Sequence, residues 1–208
     1  MKVQRKHLFA VVLIACGSLA AADDQVFAAE PPVSVGDELP AWESSDDQHR
    51  PWKSADHVGK KVLVLYFYPG DFTGGCSKQA QAYRDALAKF EDLGAELVGI
   101  SGDEATTHAM FKEANGLRHT LLADPNGELA TRLGVPATAC KRRVRAVNTN
   151  RKPLLDSDGK AIFVERPMTL ARWTMVVDRN GKIASLRTIV HPETDSEDAL
   201  KIVAALSK

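Results

Sequence analysis

Residues 61–92 read KVLVLYFYPGDFTGGCSKQAQAYRDALAKFED, and the rest of the chain is organised around them. Residues 62–68 form an unbroken apolar run of strand length, and its β-branched and aromatic side chains are typical of a strand covered on both faces. Pro69 ends the run, and residues 70–75 supply turn chemistry. From Cys76 onward, apolar residues recur at helical spacing. The stretch therefore predicts a central strand, a tight turn and a helix, with Cys76 at the junction.

The position of Cys76 has chemical consequences. The first turn of a helix has unpaired N–H groups and a partial positive charge, which favour a thiolate over a thiol. Nucleophilicity per thiolate falls as the thiolate becomes more stable, so other groups have to hold and polarise a substrate. The alternative interpretation is a small buried apolar residue, which is a common role of cysteine. Such a residue needs neither a glycine-rich turn nor backbone donors, so the pattern favours a reactive thiol.

Pro69, Thr73 and Cys76 stand as P-x-x-x-T-x-x-C after an apolar strand, and here the chain resembles the peroxiredoxins. Residues 66–80, YFYPGDFTGGCSKQA, are most similar to the bacterioferritin-comigratory or Q-type branch, where many members carry Glu at the position of Gln79. Residues 171–178, ARWTMVVD, resemble the strand that carries the family's active-site arginine, here Arg172. Two motifs this far apart are more specific than either alone. The resemblance covers roughly residues 35–206 and implies a thioredoxin fold.

The resemblance also implies a reaction and a set of site residues. Cys76 would be the peroxidatic cysteine, whose thiolate attacks one oxygen of a hydroperoxide, displaces water or an alcohol and becomes a sulfenic acid. Thr73 would hydrogen-bond the peroxide, while Arg172 and the backbone N–H groups around Gly75 would stabilise the developing charge. Gln79 is placed with Gly75 among the substrate-binding residues.

Three of these residues have simpler interpretations. Thr73 is also suited to a turn or a helix N-cap, and Arg172 to pairing with a surface carboxylate. Pro69 ends the strand and is also expected to shield the pocket. The histidines are dispersed without metal-ligand spacing, so the sequence predicts neither a metal nor a cofactor.

The return of the sulfenic acid to the thiol is open at this point. Many members of the branch carry a resolving cysteine five residues after the peroxidatic one, where this chain has Gln81. Cys140 is either a resolving cysteine or an unused thiol, because separation along the chain does not fix separation in space. If Cys140 is unused, an external thiol, either a thioredoxin-like protein or a low-molecular-weight thiol, has to complete the cycle.

Other functional classes fit the residues less well. Exported thioredoxin-like proteins also exchange disulfides or deliver copper, but Gln79 and Ala80 deny Cys76 the partner of a CxxC or CxxxC motif. A catalytically inactive thioredoxin-like domain that binds a partner is a further alternative. The joint presence of Thr73, Cys76 and Arg172 argues against it.

The N-terminus has the composition of an export signal. Lys2, Arg5 and Lys6 precede an apolar segment, residues 8–15, that is too short to span a membrane. Either cleavage after Ala22 removes residues 1–22, or the lipobox-like residues 13–16 direct lipidation of Cys16 after removal of residues 1–15. Both predict a periplasmic or cell-surface protein, released in the first case and attached to a membrane only through the lipid on Cys16 in the second. Residues 23–32 are expected to be a leader before a single domain, residues 33–208.

Charge and length limit the remaining options. The chain of 208 residues carries 27 basic and 27 acidic residues; without residues 1–22, which hold three basic and no acidic residues, the net charge is about −3. This balance does not indicate nucleic-acid binding, and the length fits one domain. The expected partners are a hydroperoxide and an external thiol, and the expected state is a monomer or a homodimer.

The remaining pattern predicts an α/β fold with a mixed central sheet, helices on both faces and an inserted β-hairpin. Strands are predicted at residues 96–101 and 120–123, and helices at residues 104–115, 128–133 and 195–207. The alternation of strands and helices favours a mainly parallel sheet. Residues 141–147 and 161–166 are predicted to pair as the inserted hairpin, and residues 172–178 and 182–189 as a second one. The basic cluster Lys141, Arg142, Arg143 and Arg145 is expected to be a solvated hairpin face, or else a docking patch.

Overall fold

The computed structural model describes residues 33–207. The predicted signal segment, the alternative lipidation site at Cys16 and the leader, residues 23–32, lie outside the described residues. None of the helices within residues 33–207 has both the length and the apolar composition needed to cross a membrane.

Residues 33–207 form nine strands and four α-helices in chain order, with a short 3-10 helix at Ser54–Asp56. They are β1 (Glu43–Asp46), β2 (Pro51–Lys53), β3 (Val62–Phe67), α1 (Gly74–Asp92), β4 (Ala95–Ser101), α2 (Ala105–Asn115), β5 (Thr120–Ala123), α3 (Glu128–Arg132), β6 (Ala137–Arg145), β7 (Phe163–Leu170), β8 (Trp173–Val177), β9 (Ile183–Arg187) and α4 (Asp195–Leu206). The predicted mixed α/β class is confirmed.

Seven of the strands form one mixed sheet in the order β2-β1-β5-β4-β3-β8-β9. Strand β4 pairs in parallel with β3 and with β5, and the other four pairings are antiparallel. The expectation of a mainly parallel sheet was therefore wrong. The physical reason is that β1–β2 and β8–β9 are hairpins, and each adds antiparallel strands to one edge of the parallel centre.

Strand β3 is fully buried, as its unbroken apolar run predicts. Its side chains alternate between the two faces of the sheet, so that Val62, Val64 and Tyr66 pack with α1, α2 and α4, while Leu63 and Leu65 face a second core. The second core contains α3, the N-terminal tryptophans and the start of the β6–β7 hairpin. The sheet thus has helices on both faces.

The inserted hairpin is present and forms a separate two-stranded sheet. Its strands β6 and β7 are longer than predicted, and the register shifts between Ala139 and Arg142. Pro167 lies opposite this shift, and since proline has no N–H it cannot continue the ladder there. Cys140 therefore sits in an irregular part of β6.

Candidate active site

The turn after β3 carries Cys76 into the first turn of α1. The amide of Tyr68 still bonds the carbonyl of Ile100 at 3.0 Å, so the chain leaves the sheet only after that residue. Phe72 takes a left-handed backbone conformation, with φ of 57°, and its buried ring packs edge-on against Phe111. That conformation turns the chain into the helix. Cys76 has 1% of its surface exposed and belongs to the core beneath α1.

Arg172 reaches the same place from the other side of β3. It immediately precedes β8, whose first residue Trp173 pairs with Phe67, the last residue of β3. This register puts Arg172 at the edge of the sheet where the Cys76 turn begins. Its Nη2 donates to Cys76 Sγ at 3.2 Å. A guanidinium at this distance stabilises a thiolate electrostatically.

A buried polar chain holds the arginine in place. Arg172 Nη1 donates to Gln79 Oε1, and Gln79 Nε2 donates to Asp195 Oδ2 at 2.7 Å. The Asp195 carboxylate also accepts bonds from Tyr83 and Thr174, and it has no exposed surface. Burial, and next the Asp195 charge, raise the pKa of Tyr83 well above its usual value, so this phenol remains a donor.

The geometry gives Gln79 a different place from the substrate-contacting one expected from the sequence. Gln79 is fully buried, and both ends of its amide are bonded to protein groups. The amide therefore lies behind Arg172, where it acts as a positioning residue. Helical spacing explains this, since a residue three positions after Cys76 lies on the same core-facing side of α1.

The other expected site residues surround the start of α1. Thr73 precedes the helix but makes no side-chain cap; its hydroxyl donates to the carbonyl of Gly70 at 3.1 Å. Gly75 lies in the first turn, and a Cβ built there would be 3.7 Å from Arg172 Nη2. Pro69 is partly buried at the beginning of the turn. The structure thus brings Thr73, Gly75, Cys76 and Arg172 into one site.

Beneath the turn lies a buried charge cluster of Asp71, Asp103, His108 and Arg166, which the sequence did not predict. Arg166 comes from β7 of the inserted hairpin; its Nε donates to Asp103 Oδ1 at 3.1 Å and its Nη2 to the Asp71 carbonyl. The amide of Asp71 bonds Asp103 Oδ2 at 2.7 Å. A Cβ at Gly70 would lie 1.9 Å from Arg166 Nε, so only glycine allows this close approach. The cluster connects the hairpin to the turn that precedes Cys76.

His108 of this cluster and a second buried histidine, His119, have pKa values shifted in opposite directions. Burial lowers the pKa of His108, but the adjacent Asp71 carboxylate more than offsets this, and its pKa is raised overall. Both ring nitrogens of His108 face acceptors, Asp71 Oδ2 at 2.8 Å and the Leu122 carbonyl at 3.1 Å, which suits the imidazolium. The His119 pKa falls to about 3, first because burial disfavours the charge and then because Lys112 is near.

Cys140 is a partly buried free thiol, and Cys76 is free as well. The Cys140 sulfur lies 3.1 Å from Thr169 Oγ1 and 3.4 Å from the carbonyl of Arg166, both in the facing strand β7. It therefore packs within the hairpin.

A groove of about 1230 Å³ opens above the start of α1. Its walls are the first turn of α1 with the preceding residues, the end of β6 with the segment that follows, and the residues that precede α4. Thr73, Gly75 and Ser77, which lie close to Cys76 in the chain, line this groove. Residues 33–207 hold no group of three or more His, Cys, Asp or Glu side chains suited to a metal ion.

The chain is similar to known proteins over most of its length. The AhpC/TSA family model matches residues 35–186. The chain is 34% identical over 175 residues to chloroplastic peroxiredoxin Q of Suaeda salsa, covering 84% of this chain and 69% of that protein. It is 42% identical over 172 residues to chloroplastic peroxiredoxin Q of Gentiana triflora, covering 82% and 67%.

A solved structure agrees with these relatives. The crystal structure of peroxidoxin BcpB from Mycobacterium tuberculosis superposes with a TM-score of 0.64 at 28% identity, covering 83% of this chain and 97% of that one. The predicted thioredoxin fold is thereby confirmed. The relatives favour neither a thiol–disulfide oxidoreductase nor an inactive binding domain.

Proposed function

Because this chain belongs to the AhpC/TSA family and is a peroxiredoxin of the Q type, a thiol-dependent peroxidase, we propose that Cys76 is the residue that reduces the hydroperoxide. The observation that carries the assignment is the contact of 3.2 Å between Arg172 Nη2 and Cys76 Sγ. The contact places the positively charged guanidinium next to a sulfur at the start of a helix, an environment that favours a thiolate.

The reaction follows from the positions of these groups. The Cys76 thiolate attacks the nearer oxygen of the hydroperoxide, the O–O bond breaks, and the departing oxygen takes a proton to leave as water or an alcohol. In this proposal Arg172, which contacts the sulfur, and the unpaired amides of the first turn of α1 stabilise the charge that moves onto the departing oxygen. Thr73 lines the groove, and its hydroxyl would turn from the Gly70 carbonyl to the bound peroxide. The product on the protein is a sulfenic acid.

Two thiols per turnover then restore Cys76, and an external reductant supplies them in this proposal. A peroxiredoxin acts on a hydroperoxide together with a thiol reductant such as thioredoxin. The position five residues after Cys76 holds Gln81, which cannot form a disulfide. A monomer or a homodimer fits this scheme equally well, and sedimentation of the reduced protein separates the two.

The test of the assignment is a single-turnover reaction of the reduced protein with hydrogen peroxide. We expect the wild type to form a sulfenic acid that a trapping reagent labels at Cys76. We expect Cys76→Ser to lose both the labelling and the thiol-dependent consumption of peroxide, and Cys140→Ser to retain them. Peroxide consumption by Cys76→Ser at the wild-type rate would refute the assignment.

We also propose that the protein works outside the cytoplasm, on the basis of the basic and apolar residues that begin the sequence. Mass spectrometry of the mature protein would identify Asp23 as the first residue after release, or a lipid-modified Cys16 after anchoring. An intact Met1 in the mature protein would contradict both forms.

A further inference from the structure

We propose that the groove above Cys76 binds a small thiol that carries a carboxylate, and that this anionic thiol reduces the sulfenic acid. The inference rests on the proposed function, since it needs a sulfenic acid at Cys76. Its basis is the charge of the groove wall formed by Arg145 and Arg151.

The groove is far larger than a hydroperoxide requires. Its volume of about 1230 Å³ compares with roughly 30 Å³ for a water molecule in the liquid, and hydrogen peroxide is only slightly larger than water. The groove is lined on one side by the neighbours of Cys76 at the start of α1 and on another by residues between 145 and 151. A second and larger molecule therefore has room beside the turn that carries Cys76.

The positive and negative side chains that line the groove do not balance. Lys78 and Glu193, which face each other across the groove, form an ion pair with an N–O distance of 2.5 Å and cancel. Arg145 and Arg151 line the same groove, and within residues 33–207 neither forms an ion pair or a side-chain hydrogen bond. The groove thus keeps two positive charges that no carboxylate of the described chain neutralises.

Arg151 is exposed and is held next to the first residue of α1. Asn148 closes a turn by accepting bonds from the amides of Asn150 and Lys152 at 3.0 Å, and Arg151 completes it with a left-handed φ of 62°. A Cβ built on Gly74 would lie 3.2 Å from Arg151 Nη2, so the guanidinium sits over the first residue of α1. The N-terminal end of a helix is itself positive, and the two repel each other. An anion between them relieves this repulsion.

Reduction of the sulfenic acid is the step that suits such a ligand. A thiolate attacks Cys76 Sγ, the S–O bond breaks, and the hydroxide takes a proton to leave as water, which gives a mixed disulfide. A second thiolate attacks the sulfur of the bound reductant, the mixed disulfide breaks, and Cys76 returns as a thiolate. Nearby cations favour the thiolate form of an entering thiol and raise its local concentration. A carboxylate on the thiol gives Arg145 or Arg151 a partner while the sulfur faces Cys76.

The experiment varies the charge of the reductant at nearly constant size. Reduced protein is first oxidised with one equivalent of hydrogen peroxide, and the sulfenic acid is verified by trapping. Mercaptoacetate, 2-mercaptoethanol and cysteamine then supply an anionic, a neutral and a cationic thiol, and the second-order rate constants are compared per thiolate. We expect mercaptoacetate to react about tenfold faster than 2-mercaptoethanol, with cysteamine slowest. The preference should shrink as ionic strength rises towards 1 M.

Variants of the groove arginines test whether these residues cause the preference for the anionic thiol. We expect Arg151→Gln and Arg145→Gln each to lower the ratio of anionic to neutral rate constants about threefold, and the double variant to abolish it. Arg118→Gln removes an exposed arginine from a different surface groove and should leave the ratio unchanged.

If the sulfenic acid forms but the double variant keeps the wild-type ratio, the groove proposal is wrong and the peroxidase assignment stands. A thioredoxin that reduces the sulfenic acid while small thiols show no charge preference would also overturn it. If no sulfenic acid forms, the proposed function itself has failed.

Discussion

The side chain of Arg166 donates to the backbone carbonyl of Asp71, although 95 residues separate them along the chain. Asp71 lies in the turn that delivers Cys76 to α1, and Arg166 lies in the inserted hairpin. The bond therefore makes the hairpin a support of the turn that carries Cys76. Arg166 is 2% exposed and pairs with Asp103, so both bonds lie in the protein interior and are shielded from water.

We expect Arg166→Met to destabilise the protein by about 3 to 5 kcal/mol, because it leaves the buried Asp103 carboxylate without its cation. Sulfenic acid formation at Cys76 should also slow about tenfold, since the turn loses its anchor. Urea unfolding and stopped-flow oxidation measure the two effects, and Arg166→Lys should recover part of each. Arg143→Met is the control: Arg143 is exposed and lies 4.4 Å from the Phe163 ring, so its loss should cost less than about 1 kcal/mol. Equal effects of the two Met variants would contradict the anchoring role.

The link from Gln79 to Arg172 predicts a non-additive pair of variants. Arg172→Met should lower the rate constant for Cys76 oxidation about a hundredfold, because it removes the cation next to the sulfur. Gln79→Leu should lower it about tenfold by releasing that cation, and the double variant should be no slower than Arg172→Met alone. Gln81→Leu, which alters a neighbouring amide on α1 that bonds Asn115, should change the rate less than twofold. Additive losses in the double variant would show that Gln79 acts independently of Arg172.

The sequence predicted the parts of the site that follow from strand order, and it missed those that depend on side-chain direction. Arg172 and Cys76 were assigned from two motifs, and the pairing of β8 with β3 explains why they meet. Asp71 and Asp103 follow two parallel neighbours, β3 and β4, so their meeting at one edge of the sheet could have been predicted. Arg166 could not, because the register and burial of a charged hairpin residue depend on how the hairpin packs against the turn.

His119 predicts a loss of stability in mild acid. Its pKa is near 3 in the folded protein and about 6.5 in the unfolded chain, so the unfolded state binds the proton first. The contribution of the neutral His119 imidazole to the free energy of unfolding is complete above pH 6.5 and is lost as the pH falls towards 3. At pH 4.5 the loss should be about 2 to 3 kcal/mol. Urea unfolding at pH 6.5 and 4.5 measures it; His119→Gln should remove this difference, whereas His191→Gln, at an exposed position, should keep it.

His108 predicts that the stability of the protein decreases as the pH rises above neutral. Its pKa is raised in the folded state by Asp71, so the stability from its charged form is complete below about pH 6.5 and is lost as the pH rises through the folded value. The imidazolium and Arg166 then balance Asp71 and Asp103, and loss of the proton leaves one carboxylate uncompensated. We expect the free energy of unfolding to fall between pH 6.5 and 9 in the wild type. A His108→Gln variant with the same decline would exclude this cause.

The placement of Cys140 predicts how many thiols survive one turnover. The Cys140 sulfur contacts Thr169 and the Arg166 carbonyl within the hairpin, and Arg166 in turn holds the turn before Cys76. A disulfide requires the two α-carbons within about 7 Å. To form one, Cys140 would have to leave its contacts in the hairpin that Arg166 anchors, and Cys76 would have to leave its contact with Arg172. We therefore expect one equivalent of peroxide to leave one of these two thiols free, with Cys76 trapped as the sulfenic acid and Cys140 still open to alkylation.

The control is Cys140→Ser, which should show the wild-type rate of Cys76 oxidation and the wild-type turnover with an external thiol. A Cys76–Cys140 disulfide in non-reducing peptide maps after one turnover would overturn the prediction, and Arg166→Met then tests the cause, because releasing the hairpin should make that disulfide form faster.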